Sequence, residues 1–287
     1  MSALRERLIE DMQVRNYSPR TVEAYVAGVA KLAKHFKRAP DQLSGEDVRA
    51  FQVQLLAAKT SWSQFNQIVC GLRFFYGTTL GRPEMVVMLP YGKKPKVLPV
   101  VLSMEEVDQL LKAAEVGRER VLLETAYGCG LRLGELLSLQ VTAIDASRMV
   151  VTVRQGKGKK DRQVPLSACL LTKLRAWWCT HRKTPWLFPG KTPAGHLSDG
   201  MVQRICQRVV ARAGLRKKAT MHTLRHSYAT HLLEAGVDVV TLQKLLGHSD
   251  LSTTARYLHL SARQLQKLPS VLDLLALPKE EASEGQG

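Results

Sequence analysis

The sequence predicts a mainly α-helical protein with a small β-sheet confined to its second domain. Three observations lead there. Apolar residues recur at three- and four-residue spacing through most of the chain, the period of a helix face. Only in "RMVVTV" and "RQVPL", within residues 148–166, do short β-branched runs replace that period. The stretch "GRPEMVVMLPYGKKPKVLPVVLS" carries Pro83, Pro90, Pro95 and Pro99, and so divides the helices into two groups.

The first group occupies residues 1–90. "MSALRERLIEDMQVR" places Leu4, Leu8, Ile9 and Met12 on one face. "YSPRTVEAYVAGVAKLAKHF" opens with Ser18 as N-cap and Pro19 as first helical residue, and aligns Val22, Tyr25, Val26, Val29 and Leu32. In "LSGEDVRAFQVQLL", Ser44 is followed at the third position by Asp47, a variant of the capping box. A fourth helix is expected over Ser63 to Thr78. Four short helices make a small all-α domain. Residues 91–102 read as an extended linker whose Lys93, Lys94 and Lys96 either lie along a phosphate backbone or are simply solvated.

The second domain spans residues 103–277. Ser103 and Glu106 form an S-x-x-E capping box at its start. A helix follows near Arg118 to Tyr127, then "GCGLRLGELLSL", then the two strand-like runs flanking "RQGKGKKD", whose glycines and lysines suit a hairpin turn. Helices resume near Leu170 and Val202 and continue through "MHTLRHSYATHLLEAGVDVVTLQKLLGHSDLSTTARYLHL", where Gly236 and Gly247 are placed to end two of them. "PKEEASEGQG", residues 278–287, is polar and acidic and reads as a disordered tail.

Forty-two Lys and Arg against 25 Asp and Glu give a formal net charge of +17. A polyanion is the expected partner, nucleic acid before an anionic membrane surface. No apolar run approaches the roughly 20 residues of a membrane span, and "MSALRERLIEDM" has charges where a signal peptide needs an apolar stretch. Five cysteines without a C-x-x-C read as reduced thiols, so a cytoplasmic protein is expected.

The residues with chemistry gather late in the chain. His222 and Arg225 share a helix face. His222 and His226 have the i, i+4 spacing of a zinc helix, but no glutamate stands between them and Arg225 puts a fixed positive charge there, so no metal is expected. Guanidinium and imidazole together suit an anion such as phosphate, the first by fixed charge and forked donors, the second by moving protons. Tyr257 is the candidate nucleophile. At neutral pH only about one free tyrosine in a thousand is ionised, so it needs cationic neighbours and a base.

"GCGLRLGELLSL", "GKGKKDRQVPL", "HTLRHSYATHLLEAG" and "LLGHSDLSTTARYLH", in that order, resemble the tyrosine recombinases, the phage-integrase and Xer-type site-specific DNA recombinases. "NYSPRTVEAY" is similar to the start of their core-binding domain, and the resemblance covers roughly Leu4 to Leu275. It implies an N-terminal four-helix SAM-like core-binding domain and a tyrosine-recombinase catalytic domain. It also implies six catalytic positions: Arg132, Lys157, His222, Arg225, His248 and Tyr257. Glu135 matches an acidic position that supports the site, or is a charge on a helix surface.

The implied reaction is transesterification at a DNA phosphodiester. Tyr257 attacks phosphorus and leaves a 3′-phosphotyrosyl bond; a 5′-hydroxyl later resolves it, with no cofactor. Arg132, Arg225 and His248 would balance charge on phosphate oxygens, Lys157 would protonate the leaving 5′-oxygen, and His222 is the expected proton carrier for Tyr257. Lys159, Lys160 and Arg162 are expected on the DNA backbone. Base-reading candidates lie near Arg20 to Tyr25, Ser63 to Arg73 and Val202 to Arg212. The implied partners are double-stranded DNA, clamped between the domains, and other protomers, as a homotetramer or a heterotetramer with a related recombinase. Leu265, Leu268, Val271, Leu272 and Leu275 form a stripe that packs on its own domain or on a neighbour. The biological settings implied are integration and excision, movement of a mobile element, or dimer resolution. Two alternatives remain: a type IB topoisomerase-like nicking-closing enzyme, against which the N-terminal domain argues, and a non-catalytic architectural DNA-binding protein, which explains the charge but not the six residues.

Overall fold

A computed structural model describes residues 3–93, 99–154, 161–181, 184–192, 195–248, 250–255 and 257. The chain divides into two compact units, Met1–Val97 and Leu98–Gly287. Lys94, Lys96, Lys157, Lys159, Lys160, the apolar stripe from Leu265 to Leu275 and the acidic tail lie outside the described residues.

The first unit contains α1 (Ala3–Val14), α2 (Pro19–Phe36), α3 (Gly45–Ala57), α4 (Trp62–Phe74) and α5 (Pro83–Val87). Local chemistry fixes the helix starts. The Ser18 hydroxyl accepts from the Thr21 amide, and Ser44 and Asp47 cap each other reciprocally. The fourth helix differs from the sequence expectation. It is regular to Phe74, then widens into a π-helical turn over Phe75–Thr79, where Tyr76 is buried and its hydroxyl donates to the Pro40 carbonyl at 2.7 Å. The short α5 follows, and its residue Met85 closes the core.

The centre of this unit is the α2–α4 crossing, where each helix presents a glycine. A Cβ on Gly28 would meet the Ile68 Cα at 3.4 Å, an ordinary contact. A Cβ on Gly71 would meet the Tyr25 Cα at 3.0 Å and its carbonyl oxygen at 3.1 Å, and backbone cannot swing aside.

The second unit contains α6 (Met104–Ala113), α7 (Arg118–Gly128), α8 (Leu133–Leu137), β1 (Ile144–Asp145), β2 (Val150–Val153), β3 (Arg162–Pro165), α9 (Ala168–Cys179), α10 (Asp199–Arg212), α11 (Met221–Glu234), α12 (Val239–Leu246) and α13 (Leu251–Ala255). The strands form an antiparallel sheet in the order β1-β2-β3, with Val151 opposite Val164 and Val153 opposite Arg162. β1, only two residues long, has no period in the sequence to announce it. The core joins α6, α7, α9 and α10 to one face of the sheet. Glu119 of α7 ties α10 in place through Arg208, at 2.7 Å, and Arg212. A smaller cluster joins Tyr228, Ala229 and Leu233 of α11 to Leu242 and Leu246 of α12 and to Tyr257.

The glycine pair gives a test of the first unit. Gly71→Val should lower its stability by about 1–3 kcal/mol through overpacking against backbone. Gly28→Ala should be neutral or slightly stabilising, because alanine favours helix and the space exists. Urea unfolding of both variants checks this. Equal stabilities would show that the crossing is not as tight as its geometry.

Candidate active site

The site is built around the C-terminal end of α12. Its last carbonyls have no partner within the helix and carry the negative end of its dipole. Three arginines from three other elements take them in succession. Arg162 Nε donates to the Leu245 carbonyl at 2.7 Å, Arg225 Nη2 to Leu246 at 2.6 Å, and Arg132 Nη2 to Gly247 at 3.1 Å. Gly247 turns the chain with a φ of 61°, and a Cβ there would sit 2.9 Å from Arg162 Cδ.

Glu135 holds the same arginines from the other side. It is the third residue of α8, and its carboxylate accepts from the Arg132 amide at 2.8 Å, satisfying the N–H of the residue at which that helix starts. The carboxylate also accepts from Arg132 Nη1 at 2.8 Å and from Arg162 Nη1 and Nη2 at 2.8 and 2.7 Å. Arg225 Nη1 lies 3.7 Å away and donates to the Gly130 carbonyl at 2.6 Å. Burial alone would push the Glu135 carboxyl up, but the hydrogen bonds from Arg162 and the Arg132 amide, with the Arg162 charge, hold it down at about 2. Burial, with the Arg132 charge next, brings Arg225 down to about 10, so it stays charged at neutral pH.

His248 follows directly. Its Nε2 is 3.1 Å from Arg225 Nη2, and a guanidinium only donates, so Nε2 accepts and the ring proton sits on Nδ1. From there it donates to Thr254 Oγ1 at 2.9 Å. Thr254 is fully buried on α13, the helix that leads into Tyr257. The Tyr257 ring stacks on His248, centroids 6.4 Å apart and planes 9° apart, and only 3% of the residue is exposed. Its hydroxyl lies 2.8 Å from His226 Nδ1.

Arg132, Arg225, His248 and Tyr257 are therefore brought together, with Glu135 at their base. Glu135 is a buried anchor, not a helix-surface charge. His222 is exposed on α11, with its ring 4.2 Å from that of His226, beside a cleft of about 400 Å³ lined by Leu133, Gln203 and Thr220. Lys93 is exposed in the first unit. Arg162 departs from its expected place on the DNA backbone. Its side chain is 8% exposed and its donors are spent on Glu135 and Leu245, because β3 turns it to the same face as the buried Val164. Sequence reasoning weighed His226 only as a metal ligand, and it passed over Thr254. Among the described residues no group of three His, Cys, Asp or Glu is placed to hold a metal.

The model of the phage integrase family matches residues 100–264, and that of the phage integrase N-terminal SAM-like domain matches residues 4–84. A protein of Sinorhizobium fredii, y4qK, named as an integrase/recombinase, is 42% identical over 280 residues, covering 97% of this chain and 91% of that one. The tyrosine recombinase XerD of Brucella abortus is 39% identical over 219 residues, covering 69% of this chain and 71% of its own. In fold, the chain is similar to a lambda integrase tetramer bound to a Holliday junction, with a TM-score of 0.71 at 19% identity, covering 89% of this chain and 76% of that one.

Glu135 provides the test of this arrangement. Its folded pKa lies below the ordinary 4.5, so its contribution to stability is complete above that pH and is lost as pH falls towards about 2. Glu135→Gln should cost roughly 3–5 kcal/mol at neutral pH, since it strands buried guanidinium charge. It should also flatten the loss of stability between those two pH values. Denaturation curves across that range check both effects, and an unchanged acid slope would count against the anchor.

Proposed function

The chain belongs to the phage integrase family, the tyrosine recombinases, and from that premise we propose how its residues cut and rejoin DNA. It is a site-specific recombinase, a DNA strand-transfer enzyme. The observation that carries the mechanism is that Arg132 and Arg225 both bond the turn at the end of α12, at Gly247 and His248, with the Tyr257 ring parallel to His248.

The substrate is a phosphodiester of double-stranded DNA, drawn to the chain by its +17 charge. Arg132 and Arg225 take the non-bridging oxygens, where negative charge grows in the transition state. One well-placed arginine is worth about 10³ to 10⁵ in the rate of phosphoryl transfer. His248 adds a hydrogen bond once its Nε2 carries the proton, which requires it to leave Arg225. The Tyr257 oxygen attacks phosphorus and expels the 5′-oxygen, which Lys157 protonates. The 3′-phosphotyrosyl bond stores the energy for rejoining, so no nucleotide cofactor enters. His222 is exposed beside its cleft. Four protomers on two sites would pair the cut strands, in keeping with the lambda integrase tetramer on a Holliday junction. No helix among the described residues is long and apolar enough to cross a membrane, which fits a protein working on DNA in the cytoplasm.

Selection from a randomised duplex library with the Tyr257→Phe chain, which keeps the ring but not the attacking oxygen, should yield the target site. On a nicked duplex carrying that site, the unaltered chain should become covalently attached, in excess EDTA as well as without it. Tyr257→Phe should bind and not attach. Attachment by the Phe variant would remove Tyr257 from its role; loss of attachment in EDTA, restored by magnesium, would remove the arginine-only mechanism.

Lys157 is separable from its neighbours by leaving-group chemistry. A 5′-bridging phosphorothiolate leaves as a thiolate and needs little protonation. Lys157→Ala should therefore cut ordinary DNA slowly and the sulfur-substituted strand at close to the normal rate, in single-turnover reactions at saturating protein. Arg132→Ala should be slow on both. A Lys157→Ala chain that is slow on both strands would make Lys157 a DNA-holding residue.

A further inference from the structure

We propose that His226 is a further catalytic residue, which takes the Tyr257 proton as the strand is cut and returns it as the strand is rejoined. The proposal rests on Tyr257 being the nucleophile. Its observation is the 2.8 Å contact between His226 Nδ1 and the Tyr257 oxygen, the atom that must attack phosphorus.

The geometry is set by two elements. His226 follows Arg225 on α11, so its side chain leaves the helix about 100° further round than the guanidinium. Arg225 points to the end of α12, and His226 points to the segment after α13. That segment is held from the other side, where Thr254 binds His248 and the Tyr257 ring lies against the His248 ring. The phenol thus lies parallel to one imidazole, offset from it, and its oxygen is held by another. His222, one helical turn earlier, has its ring at 4.2 Å from His226 and stands outside it.

For His226 to receive the proton, its Nδ1 must be bare and its Nε2 protonated, one of the two neutral tautomers of imidazole. The groups around it are charged or titratable. His222 faces it from its own helix, and Tyr257 from the segment after α13, with His248 on the other side of the Tyr257 ring. Arg225 lies beyond His248, with Arg132 joined to it through Glu135. A free phenol, with pKa about 10, does not give its proton to an imidazole of about 6.5 unaided. Transfer therefore accompanies attack: the Tyr257 O–P bond forms, its proton passes to His226 Nδ1, the P–O5′ bond breaks, and the 5′-oxygen takes a proton from Lys157. The charge that leaves the tyrosine arrives between Arg132 and Arg225. Rejoining runs the same steps backwards, with His226 now the donor. Such a base is worth about 10² to 10⁴ in rate.

The test uses the full chain, single-turnover attachment to the nicked selected site, and a range of pH. The unaltered chain should speed up through imidazole ionisation and then level off. His226→Asn, which can hold the hydroxyl but not carry its proton, should bind the site with normal affinity, attach about 10²- to 10⁴-fold more slowly, and keep speeding up towards the phenol range. Placing a fluorinated, more acidic tyrosine at position 257 should recover much of that loss in His226→Asn, and change the unaltered chain less. His226→Gly supplies a second variant, in which added imidazole should restore attachment in proportion to its concentration. A normal rate and pH profile in His226→Asn would overturn the proposal. So would a slow variant with an unchanged profile and no gain from the acidic tyrosine, which would make His226 a positioning residue. Attachment by Tyr257→Phe would instead sink the underlying reading of the nucleophile, a separate outcome.

Discussion

The Glu135 carboxylate lies among three guanidinium groups, those of Arg132, Arg162 and Arg225, and the site depends on that contact. Three like charges within a few ångströms repel strongly where protein excludes water, and Arg225 is almost wholly buried. The carboxylate is worth more than one ion pair because it is shared. It caps α8, orients Arg132 through both backbone and side chain, and takes two parallel donors from Arg162. Since the groups come from α8, β3 and α11, this one anion joins three parts of the second unit at the place where the substrate phosphate is proposed to bind.

The end of α12 completes the cage. The carbonyls of Leu245, Leu246 and Gly247 each receive one of the same arginines, so the groups that oppose one another electrostatically share two anchors, one ionic and one dipolar. The consequence reaches Tyr257, the proposed nucleophile. His248 is the residue after Gly247, Thr254 binds it, and Tyr257 stacks on it. A movement of α12 would shift arginines, histidine and tyrosine together. The left-handed turn at Gly247 is therefore tied to the cage as well as to the backbone, for a side chain there would strike Arg162.

What the sequence made legible was local. Ser18, Ser44 and Ser103 begin α2, α3 and α6 through contacts three residues away, and such spacing can be read directly. Arg132, His222, Arg225, His248 and Tyr257 came from the resemblance of the ordered motifs instead, as candidates. The contacts that were hidden are distant in the chain: Arg162 with Glu135, and His226 with Tyr257. Arg162 was further disguised by composition. It ends the basic run "KGKKDR", which looks like a solvated or DNA-facing surface. The strand period gives the truer signal, since counting back by two from the buried Leu166 and Val164 turns Arg162 inward. The π-helical turn after α4 left no mark, because the apolar spacing of "FFYG" continues a helix without showing its width.

Charge arithmetic shows what the inward turn of Arg162 does for the cage. Glu135 and Arg162 form a nearly buried pair whose charges cancel, and the pair is held by two parallel hydrogen bonds. Arg132 and Arg225 then remain in excess, two positive charges beside His248. In the proposed reaction a bound phosphodiester brings one negative charge, and the five-coordinate transition state approaches two as the tyrosine oxygen adds before the 5′-oxygen has gained its proton. The cage is therefore short of negative charge when empty, closer to balance with substrate, and nearest to balance at the transition state. Binding that strengthens along the reaction path is the condition for lowering its barrier. Were Arg162 turned outward to the DNA, Glu135 would neutralise Arg132 or Arg225 instead, and the balance would fall at the bound substrate. Burying Arg162 against Glu135 leaves the two working arginines oriented by a carboxylate whose charge is already answered.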